Sequence, residues 1–372
     1  MVIPGNPILL SNKSNKPSRK DVLHNPFSFL ASEQAVFNSA RDALYNGIKL
    51  LDYVPLRVHI PAYCCQSVLV PFGKLGIEIK FYDIDSNLRP VIKKSDFSRG
   101  DVFLLVHFFG IPQDTLSINQ LCQEFNMVLV EDCAHTLPDP EARYPVGSIG
   151  AFSVYSLRKQ LPVPDGGVLV VNNPQIKKHM INNIRLPNLY RMSLRRWLIT
   201  NFDRVTFILR CHNVLFLKSI LRRVFGLTNG LLDGNVSDAP AYDISYITVR
   251  VLERLDIKSV IRIRRNNYHY LVNRLANISG LSIPFPSLHD GAVPQVLPLL
   301  LSKAEHVKTY MNKKGVFVGR WPGLELPRQV SRSDFPMTFT WVDSCISLPV
   351  HQDLKAAHLD IIIKTLKQAI ES

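Results

Sequence analysis

Apolar residues fall into short continuous runs separated by stretches where they recur every three or four positions. Val58-His-Ile60, Ile77-Glu-Ile-Lys-Phe-Tyr82, Asp101-Val-Phe-Leu-Leu-Val-His107 and Met127-Val-Leu-Val130 are the runs, and Cys64–Leu75 and Ile118–Phe125 carry the helical spacing between them. A strand that is apolar at nearly every position must be covered on both faces. Alternation of such strands with helices therefore predicts a mostly parallel sheet inside an α/β sandwich. Ala35, Val36, Ala43, Leu44, Ile48 and Leu51 predict a helix over Ser32–Leu51, and Gly150–Tyr155 and Gly167–Val171 add two further strands.

The pattern changes three times. Residues 1–24 are polar and basic and read as a loose arm. Residues 25–240 form the large α/β domain, closed by a Gly/Asp/Asn-rich break at Gly226–Pro240. Residues 241–372 read as a smaller α+β domain, opening with a long helical pattern over Ile244–Leu275. Inside the large domain, residues 185–223 hold nine basic residues against one acid, Asp203, interleaved with Trp197, Phe202, Phe207 and Leu215. Such an amphipathic segment either packs its apolar face on its own domain or a second subunit, or lies on an anionic bilayer.

Composition narrows the field. The 372 residues are 46% hydrophobic and 20% charged, the usage of an ordinary globular chain. Six scattered cysteines lack metal-ligand spacing, which implies free thiols and no metal site. The start lacks the basic n-region and apolar core of a signal peptide, and no window of about 18 residues is free of charge. The expectation is a cytoplasmic protein, peripheral at the inner face of the membrane only if 185–223 takes the bilayer-facing alternative instead of the favoured packing on its own domain or a second subunit. The net charge of +14 attracts anions. No RNP-like, zinc-finger or helix-turn-helix pattern accompanies it, which argues against nucleic acid and leaves a solvated basic surface, anionic lipid or phosphorylated metabolites.

Three stretches sit just past strand ends or at a helix start, where α/β proteins keep their sites. They are Val130-Glu-Asp132-Cys-Ala-His135, Phe152-Ser153-Val-Tyr-Ser-Leu-Arg158-Lys159 with Asp165-Gly-Gly167 downstream, and Asn38-Ser39-Ala40-Arg41. Taken singly these are a helix cap, a surface lysine and an N-cap serine. Together they supply an amine for a covalent imine, an acid for a ring nitrogen and a phosphate cradle, the needs of a pyridoxal 5'-phosphate (PLP) enzyme.

In this order the motifs resemble those of the DegT/DnrJ/StrS family of PLP-dependent sugar aminotransferases. Further similar pieces are Ile60-Pro-Ala-Tyr63, Phe81-Tyr-Asp-Ile-Asp85, His107-Phe-Phe-Gly-Ile-Pro112, Val146–Tyr155, Arg320-Trp-Pro-Gly-Leu-Glu-Leu-Pro327 and Ser347-Leu-Pro-Val-His351. The resemblance implies a fold-type I transferase with a large PLP-binding α/β domain and a small C-terminal α+β domain, acting as a homodimer. It implies transfer of an amino group from glutamate or glutamine to a nucleotide-linked keto-sugar, for surface polysaccharide or lipopolysaccharide synthesis. It also implies that Lys159 holds the cofactor and shuttles a proton, that Asp132 pairs with the pyridinium nitrogen, and that Tyr63 flanks the ring. Ser39 and Ala40, with Ser153, would bind the phosphate.

Four departures bear on the chemistry. His135 stands where the family has Gln, bringing a group whose charge is expected to depend on pH. Ser-Ala-Arg replaces Ser-Gly-Thr, so Arg41 becomes a phosphate-ligand candidate. One extra residue between Ser153 and Lys159 puts Arg158 in the slot that an alignment from the left gives to the lysine, and Ala241-Tyr-Asp-Ile-Ser245 lacks the asparagine that reaches the partner's cofactor. These departures keep two alternatives open: a dehydratase or epimerase on the same fold, and a non-catalytic binding or assembly protein at the membrane.

Overall fold

The computed structural model describes residues 3–4, 27, 30, 32–183, 244–321 and 326–372. The basic segment 185–223 and the position of the cross-subunit asparagine, Ala241, lie outside the described residues. Eight strands build the large sheet: β1 (Glu33–Phe37), β2 (Arg57–Pro61), β3 (Glu78–Ile84), β4 (Pro90–Val91), β5 (Val102–Val106), β6 (Val128–Asp132), β7 (Phe152–Ser156) and β8 (Gly167–Val171). Their spatial order is β1-β8-β7-β6-β5-β2-β3-β4. Strands β3, β2, β5, β6 and β7 run parallel, and β8 is antiparallel to both β7 and β1. β5 and β8 are buried at every position, as continuous apolar runs require.

This topology decides where chemistry can sit. The last residue of β7, Ser156, and the last of β1, Phe37, both pair with Gly167 at the start of β8. The carboxyl ends of β1, β2, β5, β6 and β7 therefore share one edge of the sheet. Open α/β sheets bind ligands at that edge, because the connecting loops and helix starts meet there.

The predicted helix over Ser32–Leu51 is corrected. Glu33–Phe37 is a strand along β8, and the helix runs only from Ala40 to Lys49. Ala35, Val36 and Phe37 are consecutive and all buried. Burial on both faces erases the alternation that would have marked a strand. The predicted helix over Cys64–Leu75 reduces to a short turn at Gln66–Val68 and a helix at Val70–Lys74. The long pattern from Ile244 is two helices, Tyr246–Leu252 and Ile257–Leu275. The second is started by Asp256, whose carboxylate accepts the Ser259 N–H at 3.1 Å.

The C-terminal region read from the sequence as a small domain holds a separate three-stranded antiparallel sheet, β9 (Leu281–Ser282), β10 (Val296–Leu301) and β11 (Cys345–Pro349), in the order β11-β10-β9. Helices Ile257–Leu275, Ala304–Lys313 and Ala356–Glu371 bury Leu271, Val307 and Ile362 against Leu297 and Leu299. Ile3, expected in a loose arm, instead belongs to this core. It is 1% exposed, bridges Val316, and exchanges backbone bonds with Gly315 (2.8 Å) and Phe317 (3.0 Å). An apolar Ile next to Pro in a polar context was too short a signal to register. No helix among the described residues is long and apolar enough to cross a membrane.

Candidate active site

Strand β7 runs directly into a single helical turn, Leu157–Gln160. The turn leaves Arg158 exposed and half-buries Lys159, whose Nζ lies 4.9 Å from the centre of the Trp321 ring. Of the two adjacent cations, Lys159 is the one turned inward. Burial lowers its pKa to about 8, Asp132 pulls the other way, and Arg158 adds to the lowering. Asp132 ends the neighbouring strand β6 and is buried. Burial raises its pKa, opposed by the Lys159 charge and by the Ala134 N–H donated to its Oδ1 at 2.9 Å.

Three residues past Asp132, His135 is 2% exposed, and its Nδ1 accepts the backbone N–H of Phe109 at 3.2 Å. That bond assigns the ring proton to Nε2. Phe109 makes it from a left-handed conformation, φ 58°, which costs a non-glycine residue energy. Gly110 follows, also at positive φ, where a Cβ would stand 2.1 Å from the Val293 carbonyl oxygen. Burial, helped by the Lys159 charge, holds the His135 pKa well below its usual value. The expected pH-dependent charge is thus corrected: the imidazole is neutral at physiological pH because water cannot reach it. Trp321 meets His135 edge-on, with ring centres 4.2 Å apart.

The remaining predicted residues divide. Tyr63, just past β2, is fully buried; its hydroxyl donates to the Trp321 carbonyl at 2.8 Å, and its ring leans on Phe108 and Trp341. It thus fixes the chain that carries Trp321. Ser39, Ala40 and Arg41 open the helix Ala40–Lys49 at the same sheet edge. The first intrahelical bond runs from Ala43 N–H to Ser39 O at 3.0 Å, so the N–H groups of Ala40 and Arg41 precede the ladder. Ser39 Oγ donates to Asp42 Oδ2 at 2.6 Å. Gly167 admits this close approach, since a Cβ there would lie 2.1 Å from the Ser39 carbonyl carbon.

Ser153 is not brought to the group. It is in register with Glu131, whereas Asp132 is in register with Val154. Side chains alternate across a strand, so Ser153 points to the opposite face of the sheet from Asp132. Its hydroxyl shares space there with the Tyr155 hydroxyl beneath Gly147.

A second buried cluster underpins Asp132. Glu131 accepts from His107 Nε2 (3.0 Å) and from the N–H groups of Gly147 (3.1 Å), Ile149 (3.0 Å) and Gly150 (2.6 Å). Burial would raise its pKa, but the His107 bond and these donors outweigh it and hold it low. Donor atoms of His107, Glu131 and Cys133 lie within 4.8 Å of one another. His107 already accepts from Gln113 N–H at 3.1 Å through its other nitrogen, and burial holds the Cys133 thiol well above its usual pKa. The cluster is accordingly a hydrogen-bonded base for the end of β6. Trp321, Phe109 and Gln160 complete the site's walls, and pattern reading did not single them out as site residues.

The parallel strands, the inward lysine and the buried carboxylate at one sheet edge define a protein of the fold-type I class. Comparison with known proteins agrees. Residues 75–197 match the model of the DegT/DnrJ/EryC1/StrS aminotransferase family. The chain is 24% identical over 361 residues to the dTDP-4-dehydro-2,3,6-trideoxy-D-glucose 4-aminotransferase of Saccharopolyspora spinosa, covering 91% of this chain and 85% of that one. Streptococcus pneumoniae Spr1654 in its PLP form superposes with a TM-score of 0.71 at 17% identity, covering 100% of this chain and 99% of that one. Helicobacter pylori PseC, an aminotransferase involved in the biosynthesis of pseudaminic acid, superposes with a TM-score of 0.72 at 14% identity over the full length of both chains. The chain is thus similar, at low identity, to the DegT/DnrJ/EryC1/StrS aminotransferases.

Proposed function

We propose that this protein is a PLP-dependent aminotransferase acting on a nucleotide-linked keto-sugar, with glutamate or glutamine as amino donor. The observation that carries the reading is the meeting of Lys159, Asp132 and His135 at the carboxyl edge of the parallel sheet. The donor set fits PLP: an amine of lowered pKa, a buried carboxylate, and a helix start whose first N–H groups lie outside the helical ladder. Bound there, the cofactor supplies an electron sink for charge developing at the donor's α-carbon.

Each residue's part follows from its surroundings. Lys159, with its pKa near 8, is about one-tenth neutral at pH 7, far more than a lysine at the usual 10.5. It is therefore the group for covalent attachment and for taking and returning a proton at Nζ. Asp132, as a buried carboxylate, stabilises a proton on a ring nitrogen beside it. His135 offers a fixed Nε2–H donor to a ring hydroxyl in place of the amide used by the family. The N–H groups of Ala40 and Arg41, with the Arg41 guanidinium, suit the phosphate. Ser153 faces away, so the phosphate role assigned to it from the resemblance passes to the helix start.

The relatives above act on or serve sugar pathways, and the basic surface suits a diphosphate-bearing substrate. Surface polysaccharide synthesis in the cytoplasm, a homodimer, and a salt-sensitive membrane contact through residues 185–223 belong to the same reading. The test is an absorbance spectrum before and after borohydride, followed by peptide mapping. A yellow protein whose reduced adduct maps to Lys159, with Lys159→Ala colourless and folded, is expected. An adduct on another lysine, or no colour with added PLP, overturns the assignment.

A further inference from the structure

Arg264 is fully buried, a rare state for an arginine, and its guanidinium donates to three main-chain carbonyls. Nη1 reaches Pro294 O (3.1 Å) and Gln295 O (3.2 Å) in the chain leading into β10, and Nη2 reaches Gln160 O (2.7 Å) in the large domain. Gln160 directly follows Lys159. Its carbonyl also accepts from Gln352 Nε2 at 3.2 Å, and its side-chain amide donates to the His135 carbonyl. Gln160 thus ties the lysine's turn to the chain bearing His135, and Arg264 ties Gln160 to the small domain.

The geometry points to Arg264 as a positioning residue for Lys159: acting through the Gln160 carbonyl, with Gln352 beside it, it holds the turn Leu157–Gln160 so that the amine faces Asp132 and His135. The inference rests on Lys159 being the reactive lysine of the proposed function. It goes beyond that function by placing a determinant of the lysine's reactivity in the small domain. The turn needs such an anchor. It is only four residues long, and its last residue, Gln160, lies outside any further helix that could fix it. A planar fork can satisfy three carbonyls in fixed directions, whereas the ammonium of a lysine is a single mobile point. Two titratable groups, His351 and Asp353, act electrostatically with Arg264. Burial holds the first neutral, and the second helps keep the guanidinium charged.

The experiment measures Lys159 without the cofactor. Competitive acetylation of the cofactor-free full chain, read by mass spectrometry across pH 6–11, gives the pH midpoint of the Lys159 amine. The Lys367 amine serves as internal reference. Arg264→Lys keeps the charge but cannot span three carbonyls, and Gln352→Leu removes only the second donor to Gln160. Arg265→Met is the control. Arg265 is the next residue on the same helix and bonds Ala292 O (2.8 Å) and Asp139 (2.6 Å), so its loss loosens domain packing without touching Gln160.

The expected result is an upward move of the Lys159 midpoint by about one unit in Arg264→Lys, because a released amine regains water. A smaller upward move is expected in Gln352→Leu, and none in Arg265→Met. Borohydride trapping of PLP at Lys159 should slow in the same order. An unmoved midpoint in both Arg264→Lys and Gln352→Leu, or an equal shift in Arg265→Met, overturns the proposal. If Arg264→Lys fails to fold, Gln352→Leu decides alone. Failure of PLP trapping in the unsubstituted protein would instead count against the proposed function and leave the acetylation result standing.

Discussion

At the scale of the residue, the site depends on groups kept from their ordinary protonation by burial, and this has a cost in acid. His135 is neutral in the folded protein, with a pKa well below the usual 6.5, and His351 is pushed down to about 3 by the same cause. Unfolding exposes both. As pH falls below about 6.5 the unfolded chain takes up protons that the folded chain refuses, so stability declines with falling pH. Each histidine contributes a slope of at most about 1.4 kcal/mol per pH unit in that window. His135→Gln keeps an amide donor, removes one of the protons the folded chain refuses, and is expected to flatten the decline by about that amount while His351 and His358, both lowered by burial, supply the histidine remainder. Urea unfolding from pH 7 to 5 measures it, and an unchanged slope in His135→Gln would mean that His135 is protonated in the folded state. Lys159 acts in the alkaline range with the same sign. Its folded pKa near 8 lies below the usual 10.5, so stability rises as pH passes between those values.

At the scale of the element, the clearest device is a helix cap borrowed across domains. The small-domain helix Pro336–Ser344 starts at Phe335, which has no capping side chain. Asp83 of β3 does the work instead, accepting from Met337 N–H (3.1 Å), Thr338 N–H (3.0 Å) and Thr338 Oγ1 (2.7 Å). The same helix carries Trp341, whose ring packs on Tyr63, Phe109 and Phe285 behind the site. Asp83→Ala should cost about 1–2 kcal/mol, as loss of an N-cap does, and should alter the tryptophan fluorescence of the folded state. A loss below about 0.3 kcal/mol in urea titration would show that the cap is idle. Such an arrangement explains what could be read in the sequence. β5 and β6 were legible because burial on both faces leaves continuous apolar runs. Lys159 and Asp132 were legible because their order and spacing to Asp165-Gly-Gly167 are local features of the chain. Asp83 as a cap, Trp321 as a wall and Arg264 as an anchor act across more than 100 residues of sequence, and no local pattern encodes such pairings. Ser153 was misplaced for a related reason: spacing along the chain does not reveal which face of β7 its neighbours in β6 present.

At the scale of the whole molecule, the chain starts in one domain and crosses into the other before returning. Ile3 sits in the small-domain core between Gly315 and Phe317, and His351 Nε2 donates to Pro4 O at 2.9 Å. From there the chain passes to β1, at one edge of the large sheet, and re-enters the small domain at the helix Ile257–Leu275. The two domains are bonded directly as well. Gln295 N–H donates to Phe109 O (2.8 Å) and Val293 N–H to Gly110 O (3.1 Å), on the same strained turn that orients His135. Loosening the small domain is thus expected to reach the site along two routes, through Phe109 and through Gln160. Ile3→Ala isolates the effect, since Ile3 touches neither. Removing a buried isoleucine side chain costs about 2–5 kcal/mol, so the variant should unfold at clearly lower urea. Below that transition the small domain opens more often, and amide exchange at Phe109 and Gln160 should quicken along with that at Val316. Faster exchange at Val316 alone would mean that the domains move independently and that the site's geometry is set within the large domain. Faster exchange at all three would mean that the opening segment of the chain, far from the chemistry in sequence, helps hold Lys159 and His135 in place.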